Sequence, residues 1–231
     1  MVAPMEPDTL RHRVTDRLTE AFHRGELQPG ERIVESKLAQ ALHISKGTLR
    51  EALQELQHLG IVTKRDNQGT FVTKLGEKEV GDIYDVRRAL EPLAAVLAQQ
   101  RLTDDHCRRL RTLVDDLRAA ASQKDFIATS RNDLAFHQLI WKISGNRSLE
   151  KALTVVTTPL FAFYSVKLFS GIAVDPAKLY AEHAAMLAAL REGDTEEVRR
   201  MFVETTDSAR RHSIEGLRYI EAHLLQAIPE R

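Results

Sequence analysis

The chain has 231 residues, 43% apolar and 29% charged, with 33 basic side chains against 33 acidic ones. This length holds one large domain or two small ones, and the balanced charge excludes a polybasic wrapper of nucleic acid while leaving room for a small cationic docking surface. No run approaches the ~20 consecutive apolar residues of a membrane span. The stretch MVAPMEPDTL lacks the basic start and apolar core of a secretory signal, and the single cysteine, Cys107, excludes an internal disulfide framework. A soluble cytoplasmic protein is expected.

Leu10, Val14, Leu18, Ala21 and Phe22 recur at helical spacing. Gly25, Pro29 and Gly30 then break that helix. A short helix follows from about Glu35 to Leu42, HIS makes a turn, and Ser45 is placed to cap the next helix. That helix carries Leu49, Ala52, Leu53, Leu56 and Leu59 and stops at Gly60. The segments IVTKR, DNQG and TFVT read as strand, turn and strand.

The leucines of the helix opening at Ser45 share one side, and Lys46, Gly47, Arg50 and Gln54 fall nearly opposite. Gly47 leaves room for close approach to a phosphate or base edge. Arg50 can offer a two-pronged fork to guanine, and Lys46 a point charge to phosphate. Two charges on a helix face are ordinarily only solvated surface. Here they open the second helix of a helix-turn-helix, and the hairpin that follows makes a wing. Lys64 and Arg65 stand at its shoulder and Gly69 at its tip.

The polar, glycine-containing KLGEKEVGD is read as a linker, centred on 76–81. Beyond it the pattern is all helix, with six predicted helices over 82–101, 104–122, 126–144, 148–169, 176–191 and 194–212. The tail from Ser213 extends the last helix or adds a seventh. Gly145 and Gly193 read as helix stops, and Asp194 with Glu197 as a capping box. Pro92 and Pro159 are expected to kink or divide their helices. The fold class is therefore mostly α. A winged helix-turn-helix with a small β wing occupies 1–75, and an all-α bundle of six to seven helices occupies 82–231.

Within RNDLAFHQLIWKISGN, Asp133 and His137 stand one helical turn apart on an apolar face, so both can reach one ion. His183 lies among Leu179, Met186, Leu187 and Leu190 on another helix. A buried carboxylate needs a partner. For Asp133 the candidates are a metal, an arginine or His137 itself. Phe161, Phe163, Tyr164 and Phe169 can line a pocket, a core or a dimer interface. Arg87 and Arg88, beside Glu91, can offer a cation to an acidic ligand or form a salt-bridged surface. His23 and His106 read as surface histidines.

Residues 9–74 resemble the winged helix of the GntR family of bacterial transcription regulators through GELQPGERIVESKLAQAL, ISKGTLREALQELQHLGIV and RDNQGTFV. On that resemblance Lys46, Thr48, Arg50 and Gly69 occupy DNA-contacting positions. The sequence departs from the family at Ser36, at Lys46 and at Gly47-Thr48, where arginine, arginine and Thr-Pro are common. These departures leave the operator sequence open. IYDVRRALEPLAAVLA, NDLAFHQLIWKISGN and LREGDTEEVRRMF resemble the helical FCD effector domain of the FadR-type branch. That resemblance implies a divalent metal such as zinc, nickel or manganese, held by one aspartate and three histidines beside a small acidic effector. Asp133, His137 and His183 fill three of those positions, and the fourth is Thr205, whose hydroxyl is a poor ligand for zinc or nickel. His212 lies ~10 Å further along that helix.

The resemblance thus implies a homodimeric repressor that binds a palindromic double-stranded DNA operator and responds to a small carboxylate. Two rivals are a metalloenzyme built on Asp133, His137 and His183, and a constitutive DNA-binding protein with a decayed effector site.

Overall fold

A computed structural model describes residues 10–23, 26–167 and 175–223. Contacts divide the chain after Lys74 into two compact units. The first holds α1 (Leu10–His23), β1 (Arg32–Ile33), α2 (Glu35–Ala41), α3 (Lys46–His58), β2 (Val62–Arg65) and β3 (Gly69–Val72). The second holds α4 (Glu77–Gln99), α5 (Asp104–Ser122), α6 (Phe126–Ile143), α7 (Arg147–Lys167), α8 (Pro176–Glu192) and α9 (Thr195–His223). No described helix is long and apolar enough to cross a membrane.

In the first unit α1 packs on α3. Val14, Leu18 and Phe22 are buried, as are Leu49, Ala52, Leu53 and Leu56 of α3. The apolar stripe of α3 is thereby consumed, and its opposite side is left to solvent. The predicted hairpin forms, with Arg65 opposite Gly69. A third strand joins it, giving the antiparallel order β1-β3-β2 with Arg32 opposite Phe71. Two residues are too few to show a period, so β1 had no sequence signature.

In the second unit α4 packs against α9, α7 and α6, and α5 against α6 and α8. The main core joins Ala95, Leu110, Val114, Phe136, Ile140, Met186, Leu190, Val198 and Phe202 from five helices. The predicted linker is a misreading: residues 77–81 are the first turns of α4. Glu77 and Glu79 favour a helix start, and the Gly76 N–H donates to Glu79 Oε2 at 3.0 Å. Val80 is fully buried beside Tyr84 and Leu160. Pro92 and Pro159 lie inside α4 and α7, and neither divides its helix. The tail extends α9 to His223.

Helix ends follow the sequence closely. Gly145 takes φ +70° after α6, and its N–H donates to Lys142 O. Gly193 ends α8 differently. Its φ is −77°, but a Cβ there would sit 2.8 Å from the Ala189 carbonyl oxygen. Asp194 Oδ1 accepts from the Glu197 N–H at 2.8 Å and starts α9.

Candidate functional site

The first candidate surface begins at the cap of α3. Ser45 Oγ accepts from the Thr48 N–H at 3.1 Å and lies 2.9 Å from the Thr48 hydroxyl. Lys46, Gly47 and Arg50 are exposed, and Thr48 is half-buried. Arg50 is not free: its Nε donates to Glu35 Oε2 of α2 at 2.7 Å. On the wing Lys64 and Arg65 are exposed, and the Arg65 guanidinium lies 4.4 Å over the Phe71 ring. Gly69 has φ +106°, and the Arg32 guanidinium lies against it, 3.4 Å from where a Cβ would stand. Arg32 therefore joins the wing cations. Sequence reading missed it because its strand is short.

The second site lies within the helical unit. Asp133 and His137 project from α6, His183 from α8, and Arg87 and Glu91 from α4. Asp133 Oδ1 stands 3.0 Å from His183 Nε2 and 3.4 Å from His137 Nε2. One ligand atom from each of the three lies within 4.8 Å of the others. Both imidazoles are buried, with Phe136 edge-on to each at 5.6 and 5.0 Å.

Partner chemistry fixes the His183 ring. Its Nδ1 faces the Leu179 carbonyl oxygen at 2.9 Å and must donate to it. Its Nε2 then faces the carboxylate with either a proton or a cation between them. Burial works against charging His183, but Asp133 and the Leu179 carbonyl outweigh it and raise the pKa. For Asp133, burial acts to raise the pKa, yet hydrogen bonds from both histidines hold the carboxyl well below its usual range.

The three groups line a cavity of about 250 Å³. Arg87 lines it too, and the two readings of the Arg87-Arg88 pair separate. Arg88 is an exposed surface partner of Asp207 at 3.0 Å. Arg87 is 3% exposed, over the rings of Tyr84 at 4.9 Å and Phe161 at 5.5 Å. Its Nε donates to Glu91 Oε1 at 2.8 Å. Among the described residues its two terminal nitrogens have no hydrogen-bond partner. Burial opposes its charge, but Glu91, Tyr84 and Asp133 hold its pKa above the ordinary arginine value.

Thr205 lines the cavity, with its hydroxyl proton given to the Met201 carbonyl at 2.8 Å. His212 does not replace it. Its Nδ1 donates to the Ser208 carbonyl, and its Nε2 lies 2.8 Å from Lys178 Nζ. His106, expected at the surface, is half-buried, and its Nδ1 is buried with no hydrogen-bond partner among the described residues. Phe169 and the side chains of Phe163, Tyr164 and His23 lie outside the described residues.

The FCD domain model matches residues 82–208, and the model for bacterial regulatory proteins of the gntR family matches 10–72. The chain belongs to the GntR family, in its FCD-domain branch. It is 30% identical over 139 residues to the HTH-type transcriptional regulator YdhC of Bacillus subtilis, covering 60% of this chain and 62% of that protein. It is 27% identical over 188 residues to a probable D-xylose utilization operon transcriptional repressor of Paenarthrobacter nicotinovorans, covering 81% of each. The solved structure of Escherichia coli McbR/YncC matches 90% of this chain and 98% of its own with a TM-score of 0.74 and 25% identity. The family and these relatives are transcription regulators, not enzymes, so the metalloenzyme reading of Asp133, His137 and His183 falls.

Proposed function

We propose that this GntR regulator is a homodimeric repressor that releases a palindromic operator when a small carboxylate binds its helical unit. The supporting observation is that an Asp-His-His cluster and the half-used guanidinium of Arg87 line one cavity. A carboxylate matches the free prongs of that fork. On the DNA side, Ser45, Lys46, Gly47, Thr48 and Arg50 present the cap and outer face of α3, with Lys64, Arg65 and Gly69 on the wing. The D-xylose relative, named a repressor, supports the direction of control.

Asp133, His137 and His183 fit a divalent ion such as zinc, nickel or manganese. Two imidazole nitrogens and a carboxylate oxygen are the right donors, and three protein ligands leave coordination open. Charge favours it as well. Glu91, Asp133, Asp175 and Glu182 line the cavity against Arg87 and Lys178, so a divalent ion balances the excess when the histidines are neutral. Bound there, the ion would anchor a carboxylate as a Lewis acid. The protein's own residues orient the ligand: Arg87 reads the acid, and Phe161, Leu160 and Met186 close the apolar wall.

The test is elemental mass spectrometry on protein purified without chelator or affinity metal, followed by operator binding with and without small carboxylates. Near-stoichiometric metal and a ligand-dependent loss of operator affinity are expected. No metal after incubation with each ion would remove the metal. Operator binding that no carboxylate or chelator alters would leave the constitutive reading.

A further inference from the structure

Glu91 is 1% exposed and stands between Arg87, Thr206 and His137 of the candidate site. Oε1 accepts from Arg87 Nε at 2.8 Å. Oε2 stands 3.5 Å from the Thr206 hydroxyl, but that hydroxyl is closer to the Phe202 carbonyl, at 2.7 Å, and spends its one proton there. Oε2 is therefore a buried acceptor without a full partner. The nearest candidate is His137 Nδ1 at 3.7 Å. That nitrogen is itself buried with no hydrogen-bond partner among the described residues. An unpartnered buried ring nitrogen thus faces a weakly bonded buried carboxylate oxygen across a gap a few tenths of an ångström too long for a bond.

We propose that Glu91 is the positioning residue that prepares His137 for metal, an inference that rests on the metal reading above. Without metal, His137 Nε2 lies 3.4 Å from Asp133 Oδ1, where a proton on Nε2 suits the carboxylate. A metal on Nε2 requires the ring proton on Nδ1, facing Glu91 Oε2. With an ion held at Nε2, the ring proton would stand on Nδ1, where Glu91 Oε2 would accept it. His183 already has its counterpart, with Nδ1 committed to the Leu179 carbonyl. A carboxylate behind one imidazole and a carbonyl behind the other would aim both Nε2 atoms at one point. Because the other oxygen of Glu91 holds Arg87, the group that reads the acid and the group that reads the metal share one carboxylate.

The experiment measures zinc affinity of the full chain by competition with a chromogenic chelator, for wild type, Glu91→Gln and Asp133→Ala. It also records long-range proton–nitrogen spectra of the histidine rings. Glutamine keeps the volume and can still accept from Arg87 but loses the charge. Glu91→Gln should weaken zinc binding ~10–100-fold. Zinc-loaded wild type should show His137 protonated at Nδ1 with metal on Nε2. Unchanged affinity in Glu91→Gln, with Asp133→Ala impaired, would overturn the role of Glu91 and leave the metal site standing. Metal on Nδ1 of His137 in wild type would overturn it without any variant. A wild type that does not bind zinc, nickel or manganese would remove the metal reading and this inference together.

Discussion

Arg50 of α3 donates from Nε to Glu35 Oε2 of α2 at 2.7 Å, so the guanidinium that would read the operator is tied to the preceding helix. Both side chains are substantially exposed, 65% and 33%, and such a pair contributes only ~0–1 kcal/mol to stability. Its consequence is directional, since one nitrogen is anchored and the terminal pair is left for a base edge. Arg50→Ala should therefore weaken binding to an operator selected from random-sequence DNA by ~1–3 kcal/mol, with urea denaturation nearly unchanged. Fluorescence anisotropy reads the loss. Unaltered operator affinity would remove α3 as the reading helix.

On the proposed reading, substitution at Asp133 would separate DNA binding from ligand sensing. Asp133→Ala should leave operator affinity of the ligand-free protein within a few-fold of wild type and abolish metal retention, together with the response to carboxylates. It should also lower the metal-free stability by ~1–3 kcal/mol, because His183 Nε2 loses its one close partner in a buried setting. A variant with a normal ligand response would take Asp133 out of the site.

The Arg87-Glu91 pair is of a different kind from the surface bridges, with side chains 4% and 1% exposed. Arg87→Met leaves a buried carboxylate uncompensated and should cost ~3–5 kcal/mol in urea denaturation. Arg87→Met with Glu91→Leu should recover most of that stability while losing the carboxylate response. Equal destabilisation in the single and double variants would mean that the two charges do not depend on each other.

The Asp133-His137 register could be read from the sequence because both groups belong to one helix, where spacing alone puts them on one face. The predicted bounds of α5 match the structure, since Thr103 caps its start and its apolar stripe is regular. The linker over 76–81 misled because its charges find partners far away. Glu77 pairs with Arg218, and a Cβ added at Gly81 would stand 3.4 Å from the Arg210 guanidinium. Arg87 and Arg88 are adjacent in sequence with opposite fates. Which one faces the cavity depends on where α7 and α9 lie against α4, and local periodicity does not carry that information.

Helix ends offer a last prediction, independent of function. After α3 and α6 the left-handed residue is Gly60 or Gly145, but after α2 and α5 it is His43, with φ +52°, or Lys124, with φ +57°. Both follow the same closing pattern. The Lys124 N–H donates to the Ala121 carbonyl and the Asp125 N–H to the Ala120 carbonyl, as His43 and Ile44 do with Gln40 and Ala39. A side chain in this region costs ~1–2 kcal/mol, and glycine returns part of the gain by loosening the unfolded chain. Lys124 is exposed and lies ahead of α6, nine residues before Asp133. Lys124→Gly should therefore raise the unfolding free energy by ~0.5–1 kcal/mol, with metal content and operator affinity unchanged. Lys124→Val should lower it, because a β-branched residue fits this backbone least well. A urea series on the three proteins reads the order directly, and glycine below lysine would show that the turn is held by something other than its backbone.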